Sequence, residues 1–424
     1  MSGIQVEAKN TDVSIGVGAG EPALPRRDWI IIPVLGLLTI LLMVILTNLI
    51  ASKMFYVSKS TVHSCLVLND PSTGVRAIPN TVCSEKGFES QLVEYRFNSC
   101  GHRAGIECGP KPRGTYRIVM VGSSFNYGMY VPRDRSFAAL LPEDLEKRTG
   151  QKIELYNEAM QWGFPASTVL RFNQALAAQP DMILWVLTPT DIASSSLVLP
   201  YIGSSTSAPQ GKPFANKIER IKAVFATNPL KTALETIWND EVVSSWDRKV
   251  DSFRAGPTGF LLQHVLYESQ SLYVKSYLTG SDSEDGFLRA DPSPGWRDNL
   301  RQFEVDAAQI EEQAKIAGVP FVAVLVPNRA QAAMLSMGEW PARFDPNKLD
   351  NEVRSIVTSH GGIYVSILPE FRSAANPERS YFPVDGHPDV TGHAMIAEML
   401  AKDLTSGAVP AINLEKQAAL GASR

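Results

Sequence analysis

Cysteine is nearly missing from this 424-residue chain: there are four, and none lies beyond Cys108. The long remainder therefore has no thiol for a nucleophile or for a thiolate metal site. Surplus charge is missing too. Forty Lys and Arg face 44 Asp and Glu, a formal net charge of −4, which leaves no basic footprint for nucleic acid. Charge is absent altogether from residues 29–51. As a helix that stretch measures about 34 Å, enough for a bilayer core of about 30 Å. A cleavable signal peptide is the nearest rival, but the run exceeds the roughly 7–15 residues of an h-region and no clear A-x-A site follows. The expectation is an uncleaved single-pass anchor.

Residues 1–28 are polar and small, and are read as a disordered cytoplasmic tail. Lys9, Arg26 and Arg27 precede the span, whereas Lys53 and Lys59 follow it closely, so the charge rule alone orients it weakly. The cysteines orient it better. Cys65, Cys83, Cys100 and Cys108 all fall in residues 52–114, and an even number in a loop-rich segment suggests two disulfides, with three possible pairings, in an oxidising compartment. A zinc clip fits less well, since no C-x2-C pair occurs. The expected location is a bacterial inner membrane with the body in the periplasm, and residues 52–114 are a stapled lead-in.

From residue 115 strands and helices alternate. Apolar runs at 116–122, 153–159, 182–187, 320–326 and 363–367 read as strands. Helical spacing marks 136–149, 167–178, 296–317, 347–360 and 392–403. Such repetition implies a parallel sheet with right-handed crossovers, helices on both faces and about five strands, over residues 115–405. Residues 212–288 interrupt the order as a mostly helical insertion, with amphipathic pieces at 218–225 and 230–238, acting as a cap or a plain side wall. The last residues, 406–424, have little to hold them.

The first strand ends at Gly122 and delivers Ser123 and Ser124 into a turn at its carboxyl edge, where open α/β sheets gather ligands. A serine there is often only a helix cap. As a nucleophile it needs a base and an orienting carboxylate, and Asp385-Gly386-His387 offers both: His387 to move the Ser124 proton, Asp385 to hold the imidazole. His393 reads as a helix-surface residue. Oxyanion donors at the same edge are the N–H groups of Ser124 and Gly163 and the hydroxyl of Thr190, the last also readable as a turn residue. The chemistry implied is that of a serine esterase or acyl-transfer domain.

At this point motifs accumulate. Gly122-Ser123-Ser124-Phe125-Asn126-Tyr127-Gly128 resembles the first block of the SGNH (GDSL-type) hydrolases. Asn157 to Gly163 is similar to their glycine block, Pro180-Asp181 through Asp191 to their Gly-x-Asn-Asp block, and Asp385-Gly386-His387 with Gly392 to their last. Asn98-Ser99-Cys100-Gly101-His102-Arg103 is similar to a stretch often seen ahead of such domains. The resemblance covers roughly residues 95–405. It implies a flavodoxin-like three-layer α/β/α domain, a Ser124/His387/Asp385 mechanism with no metal or cofactor, and ester or O-acetyl substrates. Asp-x-His resembles the membrane-linked polysaccharide O-acetyltransferases, which implies an envelope glycan as partner. Three departures stand. Ser123 replaces an aspartate, Thr190 replaces an asparagine, and either Trp162 or Gly163 can occupy the glycine-block position. The rival reading is a degenerate domain that binds glycan or scaffolds an envelope complex.

Overall fold

The computed structural model describes residues 25, 27–55, 60–70, 73–195, 256–279, 285–409 and 412. The chain divides into two compact units, Met1–Ile50 and Ala51–Arg424. Of the first, the described part is the bulk of helix α1 (Asp28–Phe55), whose large apolar side chains from Trp29 to Ile50 are exposed all round. It is long and apolar enough to cross a membrane, a test that a signal sequence also passes. The tail of residues 1–24 lies outside the described residues, as does most of 406–424; the described start of the latter is held, contrary to expectation, because Val409 and Ile412 are fully buried in the hydrophobic core.

The second unit opens with four short strands, β1 (Leu66–Asp70), β2 (Gly74–Ala77), β3 (Val82–Glu85) and β4 (Val93–Arg96), paired as two antiparallel ribbons. Such ribbons are marginal alone. The disulfides form one of the three possible pairings: Cys65–Cys83 ties the start of one ribbon to the other, and Cys100–Cys108 closes the loop that follows β4. Val75, Tyr95 and Phe97 complete a small core with Tyr127, Ala159 and Met160 of the following α/β body.

That body runs β5 (Thr115–Gly122), α2 (Ser124–Tyr127), α3 (Phe137–Thr149), β6 (Lys152–Asn157), α4 (Pro165–Ala177), β7 (Met182–Leu187) and α5 (Pro189–Ala193). Described residues resume with α6 (Pro257–Leu266) and α7 (Gln270–Tyr277), the helical part of the expected insertion. The pieces expected at 218–225 and 230–238 lie outside the described residues. Then follow α8 (Pro294–Ala317), β8 (Phe321–Leu325), α9 (Arg329–Met337), α10 (Lys348–His360), β9 (Ile363–Ser366), α11 (Leu368–Ser373) and α12 (Val390–Asp403).

Strands β5 to β9 form one parallel sheet in the order β6-β5-β7-β8-β9. Counted along the sheet that is 2-1-3-4-5, the flavodoxin-like order. Strands β5, β7 and β8 are buried along their whole length, which is why they read as unbroken apolar runs. Alternation sorts the side chains. Ile118, Met120 and Leu184 pack beneath α3 and α12, and Val119, Ile183 and Trp185 beneath α4 and α8. The strand order reverses where β7 leaves β5 on the side away from β6, so the carboxyl ends of β5 and β7 bound a crevice.

Candidate active site

The turn after β5 is built around close approaches. Gly122 has φ +146°, and a Cβ there would lie 2.2 Å from Asn126 Nδ2 and 2.4 Å from Val186 O. The glycine lets fully buried Asn126 reach back and donate to Val121 O (2.9 Å) and Val186 O (3.0 Å), pinning the turn to β7. Asn157 Nδ2 in turn donates to Asn126 O at 2.8 Å. Neither asparagine stands out in sequence except as part of a block. Arg103 is the payload of the lead-in motif. Its buried guanidinium donates to Tyr127 O (2.7 Å), Gly128 O (2.6 Å) and Val131 O (2.6 Å), satisfying carbonyls at and beyond the end of α2.

Ser124 opens α2, so its N–H has no intrahelical acceptor. Its Oγ lies 2.8 Å from His387 Nε2. His387 Nδ1 lies 2.6 Å from Asp385 Oδ1, which also accepts the His387 N–H at 3.1 Å. Burial pushes the Asp385 carboxyl up, but the hydrogen bond from the His387 ring, the charge of that ring and its backbone N–H outweigh it and hold the carboxyl below the usual range. The ring sits between Phe125 (centroids 5.2 Å apart) and the edge of Tyr130 (5.7 Å). Three residues from well-separated parts of the chain thus form one hydrogen-bonded line, with the His387 and Asp385 side chains only 19% and 21% exposed.

The line opens into a cavity of about 510 Å³. Thr190 lines it beside Ser124, exposed and on the second position of α5. Across it stand Gln263, Tyr267, Tyr277 and Asn328. Buried Arg329 supports that wall, donating to Tyr267 O (2.6 Å), Pro383 O (2.5 Å) and Glu378 O (3.1 Å) over the face of Tyr273.

Two expectations need correcting. Gly163 does not line the cavity, and its N–H is already given to Met160 O at 3.0 Å. A glycine is required there because a Cβ would meet Gly122 O at 2.3 Å; the residue with left-handed backbone is its neighbour Trp162, at φ +58°. His393 is not on the surface. It is fully buried, its ring stacked on Phe137 at 5.2 Å and its Nδ1 accepting the Phe137 N–H at 3.1 Å. Asp191 in the Gly-x-Asn-Asp-like block is structural. It forms a capping box with Thr188, and burial pushes its carboxyl up to about 6 against the pull of the Ser123 and Thr188 hydroxyls. Ser123 therefore faces a buried acid where the common motif would place a second one beside the nucleophile.

No family model matches the sequence, and no curated protein matches it either. Among solved structures, it is similar to TesA at 9% identity, covering 68% of this chain and 97% of TesA with a TM-score of 0.33. It is similar to LAE5, an α/β hydrolase enzyme from the metagenome of Lake Arreo, at 10% identity, covering 70% of this chain and 96% of that one with a TM-score of 0.36. A catalytic mutant of the acetylxylan esterase Axe2 from Geobacillus stearothermophilus matches at 10% identity over 68% of this chain and 94% of Axe2, with a TM-score of 0.35.

Proposed function

We propose that this chain is a serine esterase or O-acyltransferase, held at a membrane by α1, that acts outside the cytoplasm on ester or O-acetyl groups of an envelope glycan. The observation that carries the reading is the Ser124–His387–Asp385 line, at 2.8 and 2.6 Å, at the mouth of a cavity on the carboxyl edge of the sheet. Ser124 Oγ attacks the ester carbonyl carbon as its proton passes to His387 Nε2, and Asp385 steadies the imidazolium. The carbonyl oxygen takes up charge and is met by the Ser124 N–H and the Thr190 hydroxyl. Collapse releases the alcohol with the proton from His387 and leaves an acyl-serine. Water, or a second hydroxyl, is then deprotonated by His387 and takes the acyl group. The hydroxyls and amides of Tyr267, Tyr277, Gln263 and Asn328 suit a sugar's own hydroxyls, with aromatic faces for its C–H surfaces. The two disulfides support an oxidising compartment.

The competing reading, a domain that holds glycan without cleaving it, draws on Gly163: with its N–H committed, the oxyanion has two candidate donors rather than three. The test is hydrolysis of p-nitrophenyl acetate by the detergent-solubilised chain beside Ser124→Ala and His387→Ala. A fall of about 10⁴-fold or more in both variants is expected. Equal rates in all three proteins, with and without added sugar acceptors, would sink the enzymatic reading.

A further inference from the structure

The loop bearing Asp385 and His387 closes on itself. The Phe382 N–H donates to His387 O (2.9 Å) and the Gly386 N–H to Phe382 O (3.0 Å), while Tyr381 bridges Pro388. Such a turn is well formed but must still be aimed at Ser124, 263 residues away in sequence. Arg329 holds one side of it through Pro383 O. The other side is held from outside the α/β body by Glu89, which lies between β3 and β4 in the stapled ribbon segment.

The Glu89 side chain is 2% exposed. Both its oxygens lie 3.1 Å from the Val384 nitrogen, and Oε2 accepts the Asp385 N–H at 2.9 Å. Oε1 lies 2.6 Å from His264 Nδ1 on α6, the helix that also supplies Gln263 to the cavity wall. Around this knot the Phe55 ring at the end of α1 packs on Phe260 (5.1 Å) and His264 (5.4 Å), Phe88 packs on Phe260 (5.2 Å), and Val384 packs against the same apolar cluster. A carboxylate withdrawn from water costs several kcal/mol unless its lone pairs are met. Here they are met by the main chain of the residue that orients the imidazole. Glu89 does not line the cavity.

We infer that Glu89 is a positioning residue of the site. Its carboxylate fixes the main chain at Val384 and Asp385 so that His387 Nε2 meets Ser124 Oγ, and through His264 it ties that loop to the wall formed by α6. The inference rests on the serine-esterase reading above. It also gives the ribbon segment a part in the chemistry beyond that of a spacer between helix and body.

The experiment compares the detergent-solubilised full chain with Glu89→Ala, Glu89→Gln and Ser124→Ala, by p-nitrophenyl acetate kinetics, by hydrogen exchange over residues 382–388 and by thermal unfolding. In Glu89→Ala, exchange at Val384 and Asp385 should accelerate. A misplacement of the base of about 1 Å costs about 100-fold, so kcat should fall by roughly that factor with KM changed by about threefold or less. Glu89→Gln keeps a carbonyl acceptor for the Asp385 N–H and should recover about tenfold of the loss. Three results overturn the inference: unchanged exchange in Glu89→Ala; faster exchange with native kcat; or an equal loss in Ala and Gln variants with both unfolding midpoints lowered alike, which marks a purely structural role. If the unaltered chain is as inactive as Ser124→Ala, the esterase reading has failed and the positioning role falls with it, while the exchange data still decide whether the clamp exists.

Discussion

His393 gives the sharpest pH prediction in the molecule. Burial pulls its imidazole down to about 3 from an ordinary 6.5, with the positive charges of Arg103 and His387 adding to the effect. The geometry demands the neutral ring, because Nδ1 accepts the Phe137 N–H and cannot also carry a proton. In the unfolded chain the same imidazole titrates near 6.5. Its folded value is depressed, so between pH 6.5 and about 3 the unfolded state holds the extra proton and native stability is lost as pH falls. At pH 4.5 that amounts to roughly 2–3 kcal/mol relative to pH 7.5. The comparison variant is His393→Gln, whose amide oxygen can still accept from Phe137. Urea unfolding of both detergent-solubilised proteins at pH 7.5, 6 and 4.5 gives two stability curves. Their difference removes the carboxyls common to both, such as Asp191 and Asp385. The wild type should lose roughly 2–3 kcal/mol more than the variant over this range. Parallel curves would refute the buried neutral imidazole.

Three further outcomes follow from the same structure. Gly122→Ala places a Cβ within 2.4 Å of Val186 O at φ +146°, and should lower stability by about 3 kcal/mol or more by denaturant unfolding, with hydrolysis falling even in the folded fraction. Loss of Cys65–Cys83, which closes a separation of 18 residues, should cost about 3 kcal/mol, visible as a lower unfolding midpoint in a Cys65→Ala/Cys83→Ala double variant. Burial pushes the Glu311 carboxyl on α8 up to about 7, opposed by the Gly362 N–H. The stability linked to this raised value is complete below about 4.5 and lost as pH rises through 7, so Glu311→Gln should be about 2 kcal/mol more stable than wild type at pH 8 and gain nothing at pH 4.

What could be read from sequence tracks how locally each feature is determined. Strand β7, Met182–Leu187, is buried on both faces and announces itself as six apolar residues between breakers. Asp385 and His387 are two residues apart, and Ser124 follows a glycine at a strand end, so the line they form was legible before any distance was known. Strands β1 to β4 are only four or five residues each and draw their core from Tyr127, Ala159 and Met160 far along the chain, so no local period marks them. Only three residues separate helix α9 from β8, and it shows no helical spacing strong enough to mark it, although Asn328 caps it by accepting the Gln331 N–H at 2.9 Å. Gly163 reads as a donor from its place at the carboxyl edge of the sheet, whereas its backbone contacts show a glycine that lets the turn after β6 lie against the end of β5. His393 looked like a surface residue because its partner, Phe137, is 256 positions away. Glu89 has no signal at all, since the N–H groups that donate to it lie 295 and 296 residues downstream.

The 263 residues that separate Ser124 from His387 also set a clock. At synthesis rates of about 5–20 residues per second, the nucleophile precedes its base by roughly 13–50 s. During that interval the growing polypeptide carries Ser124 without His387, however early the turn at Gly122 folds. Under the proposed mechanism the pair is completed only when the loop at 382–388 has been made, so a chain that stops short of His387 holds the serine turn without its base.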